Sequence, residues 1–215
     1  MMTEVRSTLP AKALLLAFDR RKQRLTGTGQ LGHLMRAAAL AELMLRGHLS
    51  DDGGKAHPVS APPGPEDSVL RYVWDQIEQD PPRTWRRWVA KDRARTVELA
   101  REELVRAHVL KAEPHRVLGL FPTVRLTLRQ PLVAKRLSEQ VGRAVRGSQP
   151  ASRVSPEIGV LAALASAGQL RLVLSGKDRK RHKARLGQLG APVEPVVTAL
   201  HKAVSAQNAA AASSG

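Results

Sequence analysis

Residues 34–49, LMRAAALAELMLRGHL, are apolar on nearly every side. A helix without a broad polar face belongs inside a fold rather than on its surface. This segment therefore constrains everything around it. It holds three charges, Arg36, Glu42 and Arg46. Glu42 and Arg46 stand four apart with the acid first, the favourable order for an ion pair on one helix face. Arg36 has no such partner, because the residues three and four away are His33, Gly32, Ala39 and Leu40. It also lies near the helix start, where the macrodipole disfavours a cation. A negative group from elsewhere is expected, either a carboxylate of the fold or a bound anion.

The chain has 215 residues, enough for one large domain or two small ones with a buried core. Lys and Arg total 35 against 19 Asp and Glu, a net charge of +16. That balance implies an acidic partner: nucleic acid, an anionic membrane or an acidic protein. Arg exceeds Lys and Ala is abundant, a usage that resembles high-GC bacterial genomes. The absence of cysteine excludes disulfides, thiol catalysis and cysteine-bound zinc. The start, MMTEVRSTLPAK, lacks the apolar core of a secretory signal. No run approaches the roughly 18 apolar residues of a membrane span. The expectation is a cytoplasmic protein that touches a membrane only from its surface, at the inner face of the plasma membrane.

Apolar spacing and turn residues then divide the chain. AKALLLAFD, 11–19, reads as a short helix or a buried strand, followed by the basic run RRKQR. TGTGQLG, 26–32, reads as a flexible turn before the opening helix, which stops at Gly47. DDGGKAHPVSAPPGPED, 51–67, reads as a mobile loop. Helices are expected over 68–79 with Asp67 as N-cap, over 84–89, and over 93–108. The segment 109–131 is cut by Pro114, Gly119, Pro122 and Pro131, and VRLTLR alternates at period two, so small strands are expected there. Helices resume over 132–145 and 157–167, with a linker between them. GQLRLVLSG reads as a strand or a helix end, and a last helix covers 193–205. The fold class expected is mainly α: a single compact helical domain over 9–206 with short β-hairpins, a disordered start 1–8 and a disordered tail 207–215.

Few motifs carry chemistry. Gly27 to Gly32 spells GxGxxG, but Arg20 to Arg24 before it cannot form the buried strand of a dinucleotide fold. What survives is a helix N-terminus whose free amides can hold a phosphate, with Gly27 and Gly29 at its start. Lys177 to Arg185 is the densest basic run, able to draw a phosphate backbone or anionic headgroups. It holds no aromatic residue for base stacking. No HExxH, GxSxG or Walker lysine occurs, and the histidines show no ligand spacing. Neither an enzyme, nor a metal site, nor a cofactor is expected.

MRAAALAELMLRGHL resembles the signature helix of the Golgi phosphoprotein 3 family, with its Arg, apolar run and Glu-Leu-x-Leu-Arg-Gly-x-Leu. LPAKALLLAFD, PPRTWRRWV, LAREELVRAHVL, LGLFPTVRLTLRQP, VAKRLSEQVGRAV and SPEIGVLAALASAGQL resemble further family segments in the same order, from about residue 9 to 205. The resemblance implies one mainly helical domain that sits peripherally on membranes and is not an enzyme. Eukaryotic members bind phosphatidylinositol 4-phosphate and recruit glycosyltransferase tails. By the same resemblance, Arg36 falls on a headgroup arginine, while the family's tryptophan falls at Gly27. A further arginine pair falls on Ala94 and Val97, or, one residue earlier, on Arg93 and Thr96. Arg93, Arg95 and Arg101 stand near enough to substitute. Leu120, Phe121, Val124, Leu126 and Leu128 would form the family's membrane-dipping hairpin, pair with a second subunit, or close the core.

The first functional reading is therefore an anionic phospholipid binder that uses Arg36, nearby arginines and the glycine turn. A DNA-binding regulator of winged-helix type, with 93–108 as recognition helix, stands second, since a net charge of +16 suits phosphate-driven binding. A scaffold for acidic protein tails stands third, and is compatible with the first.

Overall fold

The computed structural model describes residues 7–65, 68–117 and 121–213. The apolar stretch becomes α2, Thr28–Leu45, and every residue from Leu34 to Leu43 on it is buried. Around it pack α1 (Leu9–Leu16), α3 (Val69–Gln79), α4 (Trp85–Ala90), α5 (Arg93–Arg106), α7 (Pro156–Ala167) and α10 (Glu194–Ser213). The sequence pattern explains the layering. α1 and α7 are apolar almost throughout and lie deep, whereas α3 and α6 (Pro131–Arg146) bury one stripe each. On α3 that stripe is Leu70, Val73, Trp74 and Ile77, the spacing of one helix face. The mainly α class with small antiparallel hairpins is as the sequence implies.

The sheets are small. β1 (Phe18–Asp19) pairs with β2 (Arg24–Leu25). β3 (Leu49–Asp52), β4 (Lys55–Pro58) and β5 (Arg83–Thr84) form a three-stranded antiparallel patch. β6 (Leu110–Val117) and β7 (Phe121–Leu128) form one hairpin, in register from Leu110 opposite Leu128 to Val117 opposite Phe121. Two short helices, α8 (Gly176–Arg181) and α9 (Lys183–Gly190), carry the densest basic run.

Several expectations change. The first half of 51–67 is not a loose loop but the β3–β4 hairpin. Its two turn residues, Gly53 and Gly54, both have positive φ, 56° and 80°, which suits a tight turn matched to the strand twist. Ser68 caps α3 through its hydroxyl, and Asp67 lies outside the described residues. The segment 26–32 is helical from Thr28 onward. Residues 168–175 form turns rather than a strand. The last helix continues past Ser205 to Ser213 where a disordered tail was expected, because the alanine-rich end has high helix propensity.

Glu42 shows how the buried helix orients a neighbour. Its Oε2 accepts the Leu9 backbone N–H, and its other oxygen meets Arg46. Glu103 of α5 accepts from both the N–H and the hydroxyl of Thr8. Two carboxylates thus satisfy donors at the start of α1, where helical N–H groups have no internal partner. Burial pushes the Glu42 carboxyl up to about 7, against the pull of Leu9 and Arg46. The folded protein therefore holds this proton more tightly than the unfolded chain. Its contribution to stability is full below the ordinary glutamate value and is lost as pH rises towards 7, by at most about 3 kcal/mol. Urea midpoints followed over that pH range for wild type and Glu42→Gln are expected to diverge, with wild type losing stability relative to the variant. Parallel curves would contradict the assignment.

Candidate anion-binding site

The first turn of α2 opens at Gly27, whose φ of +63° places it in the left-handed region as N-cap without a side-chain cap. Gly29, Gly32, His33 and Arg36 follow at spacings of three or four and share one face. Gly32 is the pivot. A Cβ there would lie 2.6 Å from the Arg93 Cβ, so only glycine lets the first turn of α5 approach this closely. Arg93 is exposed, and its Nη1 lies 3.1 Å from Nε2 of His33. Burial, and then the Arg93 charge, hold the His33 imidazole below its ordinary value, so it is neutral at physiological pH. From α10, Gln207 donates to the Gly29 carbonyl at 2.8 Å, and Asn208 accepts from Gln30 at 2.8 Å. Gln207 also hydrogen-bonds the His33 ring, which offsets part of the lowering of its imidazole. Two helix N-termini, one exposed guanidinium and a rim of amides therefore meet at one place.

Arg36 lies deeper. Its side chain is fully buried. Nε donates to the Trp88 carbonyl at 3.0 Å and Nη2 to Gln76 Oε1 at 2.6 Å, while Nη1 has no partner. The sequence resemblance implies direct contact with a headgroup; the structure instead gives this guanidinium internal neutral partners. The nearest counter-charge acts through Gln76, whose Nε2 donates to Asp92 at 2.8 Å. Tyr72 also faces Asp92, which stands at φ +42° as N-cap of α5. Burial lowers the Arg36 guanidinium to about 10, so it keeps its charge at neutral pH.

The other candidates separate. Thr96 is buried, its hydroxyl donating to the Asp92 carbonyl. Arg95 is paired with Glu98 and Glu102, on a different face of α5 from Arg93. Arg101 lies about 12 Å further along the helix. There it lines a cleft of about 440 Å³ against Ala112, Pro114 and Val124 of the hairpin. Within the hairpin, Leu128 is buried, Leu126 is half-buried against the core and Val124 is exposed. Leu128 and Leu126 thus serve the core. Leu120 lies outside the described residues, and Phe121 is placed by its backbone register alone. Gln76, Asp92, Gln207 and Asn208 are site-forming residues that the sequence did not single out. Gln207 and Asn208 fall in what reads as a tail.

A family model described as Golgi phosphoprotein 3 (GPP34) matches residues 9–207, nearly the whole chain. No curated protein matches.

The geometry makes Arg36 a structural as well as an electrostatic residue. Arg36→Ala is expected to cost about 3–5 kcal/mol, since Gln76 and the Trp88 carbonyl lose their donor and a cavity opens. Arg36→Met, which keeps the volume, should cost less. Urea unfolding of both variants checks this, and a loss under about 1 kcal/mol for Arg36→Ala would contradict the burial described.

Proposed function

The chain belongs to the Golgi phosphoprotein 3 family, and from that premise we propose that it is a peripheral membrane protein. In this reading it binds an anionic phospholipid headgroup where the first turns of α2 and α5 meet, and it performs no catalysis. The observation that carries the reading is the stacking of three positive sources. The N-terminus of α2 presents amides and the positive end of its dipole. Arg93 supplies an exposed guanidinium with no carboxylate bound to it among the described residues. Arg36, one helical turn below Gly32, adds a buried charge whose field is little screened. Asp92, the adjacent acid, is turned towards Gln76 and Tyr72.

A phosphate would accept from Arg93 and from the first amides of α2. Phosphatidylinositol 4-phosphate is the finer form of the reading and rests on the family resemblance, with Gly27 in place of the family's tryptophan as its departure. Among the described residues no helix is long and apolar enough to cross a membrane. The DNA reading fares worse, because the exposed face of α5 carries Glu98 and Glu102 paired with Arg95. Such a face would meet a phosphate backbone with like charge. A scaffold role for acidic tails is compatible with the same basic surface.

Vesicle co-sedimentation tests the site. Neutral, phosphatidylglycerol-containing and phosphatidylinositol 4-phosphate-containing vesicles are compared for wild type, Arg93→Ala and Arg95→Ala. Arg93→Ala is expected to weaken anionic-vesicle binding about tenfold, the loss of one charge-assisted hydrogen bond. Arg95→Ala, which removes a cation already neutralised, should change it little. Equal losses would reduce the interaction to net charge.

A further inference from the structure

Arg20, Arg21, Lys22 and Arg24 crowd the tight turn between β1 and β2, and the proposed headgroup site uses none of them. All four are exposed. The one acid nearby, Asp19, is committed to shaping the turn: its Oδ1 accepts from the backbone N–H of Arg21 at 2.9 Å and of Lys22 at 3.0 Å. Those bonds hold its carboxyl below the usual range. Elsewhere cations meet carboxylates, as in Arg71 with Asp75, or Arg83 and Lys91 with Asp80. Among the described residues none of the four turn cations has such a partner within ion-pair distance. The charge is concentrated and left open.

The turn is also held firmly. Gln23, the last residue of the turn, stands at φ +48°, and its Oε1 accepts the Leu128 N–H at 3.2 Å, at the base of β7. On the other side, both the N–H and the hydroxyl of Thr26 donate to the Ala17 carbonyl at 2.9 Å. One strand therefore fixes the cations beside the hairpin base. The same strand carries Arg24 to three residues from Gly27, a span of at most about 10 Å, with Lys22, Arg21 and Arg20 five, six and seven residues away along the chain. The hairpin base is thus tied to the basic turn through Gln23, and the turn leads along the chain into the α2 N-terminus.

We infer that this turn is a second lipid contact, indifferent to headgroup identity, that binds the anionic bilayer surface around the selectively held lipid. The inference rests on the headgroup reading above for its setting, but not for its chemistry. The turn has no aromatic residue on which bases could stack, and it adjoins a hairpin with Val124 exposed. Those features favour a bilayer surface over nucleic acid. The two contacts divide the work: the turn supplies salt-sensitive attachment, and the α2–α5 junction supplies selection.

The test compares the full chain with two variants that each lose three cations. One is Arg20→Gln/Arg21→Gln/Lys22→Gln; the other is Lys177→Gln/Lys180→Gln/Arg181→Gln. Binding is measured on phosphatidylglycerol vesicles with and without phosphatidylinositol 4-phosphate. The turn variant is expected to lose on the order of a hundredfold in affinity for both vesicle types, with the ratio between them unchanged. The control variant should lose no more than about tenfold through bulk charge. Equal losses in the two variants would overturn the inference. So would a turn variant that keeps vesicle binding yet loses duplex DNA binding. Failure of the headgroup reading is separate, since it appears as no vesicle selectivity in wild type while the turn variant still loses affinity. Because the chain has no cysteine, Arg21→Cys bearing an environment-sensitive fluorophore gives an independent readout. A blue shift on phosphatidylglycerol vesicles is expected; no shift while the protein is bound would contradict the contact.

Discussion

The structure depends on the cost of burying two ionisable side chains in a helix that is otherwise apolar. α2 cannot leave Arg36 or Glu42 without partners, because a buried charge or polar group without one costs several kcal/mol. Each therefore fixes a neighbour. Glu42 holds the start of α1 through the Leu9 N–H. Arg36 binds α4 through the Trp88 carbonyl and α3 through Gln76. Hydrophobic burial gathers the helices around α2, but it is non-directional. The polar bonds give the shell particular attachment points. Gly32 adds the complementary constraint, a place where α5 approaches α2 at a distance any side chain would block.

This arrangement also gives the proposed site its electrostatics. The buried Arg36 projects its field through a medium that screens poorly, while the exposed Arg93 offers the contact itself. Asp92 is the balancing element. It reaches Arg36 only through Gln76, which leaves the buried charge incompletely compensated. An anion at the α2–α5 junction would complete that compensation. The basic turn after β1 leads along the chain into that junction and is tied to the hairpin base through Gln23.

Much of the fold was legible because it follows from periodicity. The all-round apolarity of α2, the one-sided stripe of α3 and the alternation of VRLTLR each name their element type directly. The site was legible only where it lay on α2 and the start of α5. The partner of Arg36 was not, because a backbone carbonyl at Trp88 leaves no mark in a sequence. Gln207 and Asn208 were hidden in an alanine-rich end that reads as a tail by composition, although alanine favours helix and the two amides pack back on α2. The β3–β4 hairpin was masked for another reason: DDGGK has the composition of a loop, and the paired positive-φ glycines that make it a tight turn have the same composition.

The most direct test of the central claim is a backbone amide NMR titration with a soluble headgroup, glycerol 1-phosphate, against inositol 1,4-bisphosphate. Shift changes that saturate and cluster on Gly27, Thr28, Gly29, His33 and Arg93 are expected, with the Arg36 side-chain Nε–H moving in concert. Changes confined to the Lys177–Arg185 helices, or spread evenly over exposed cations without saturation, would contradict it.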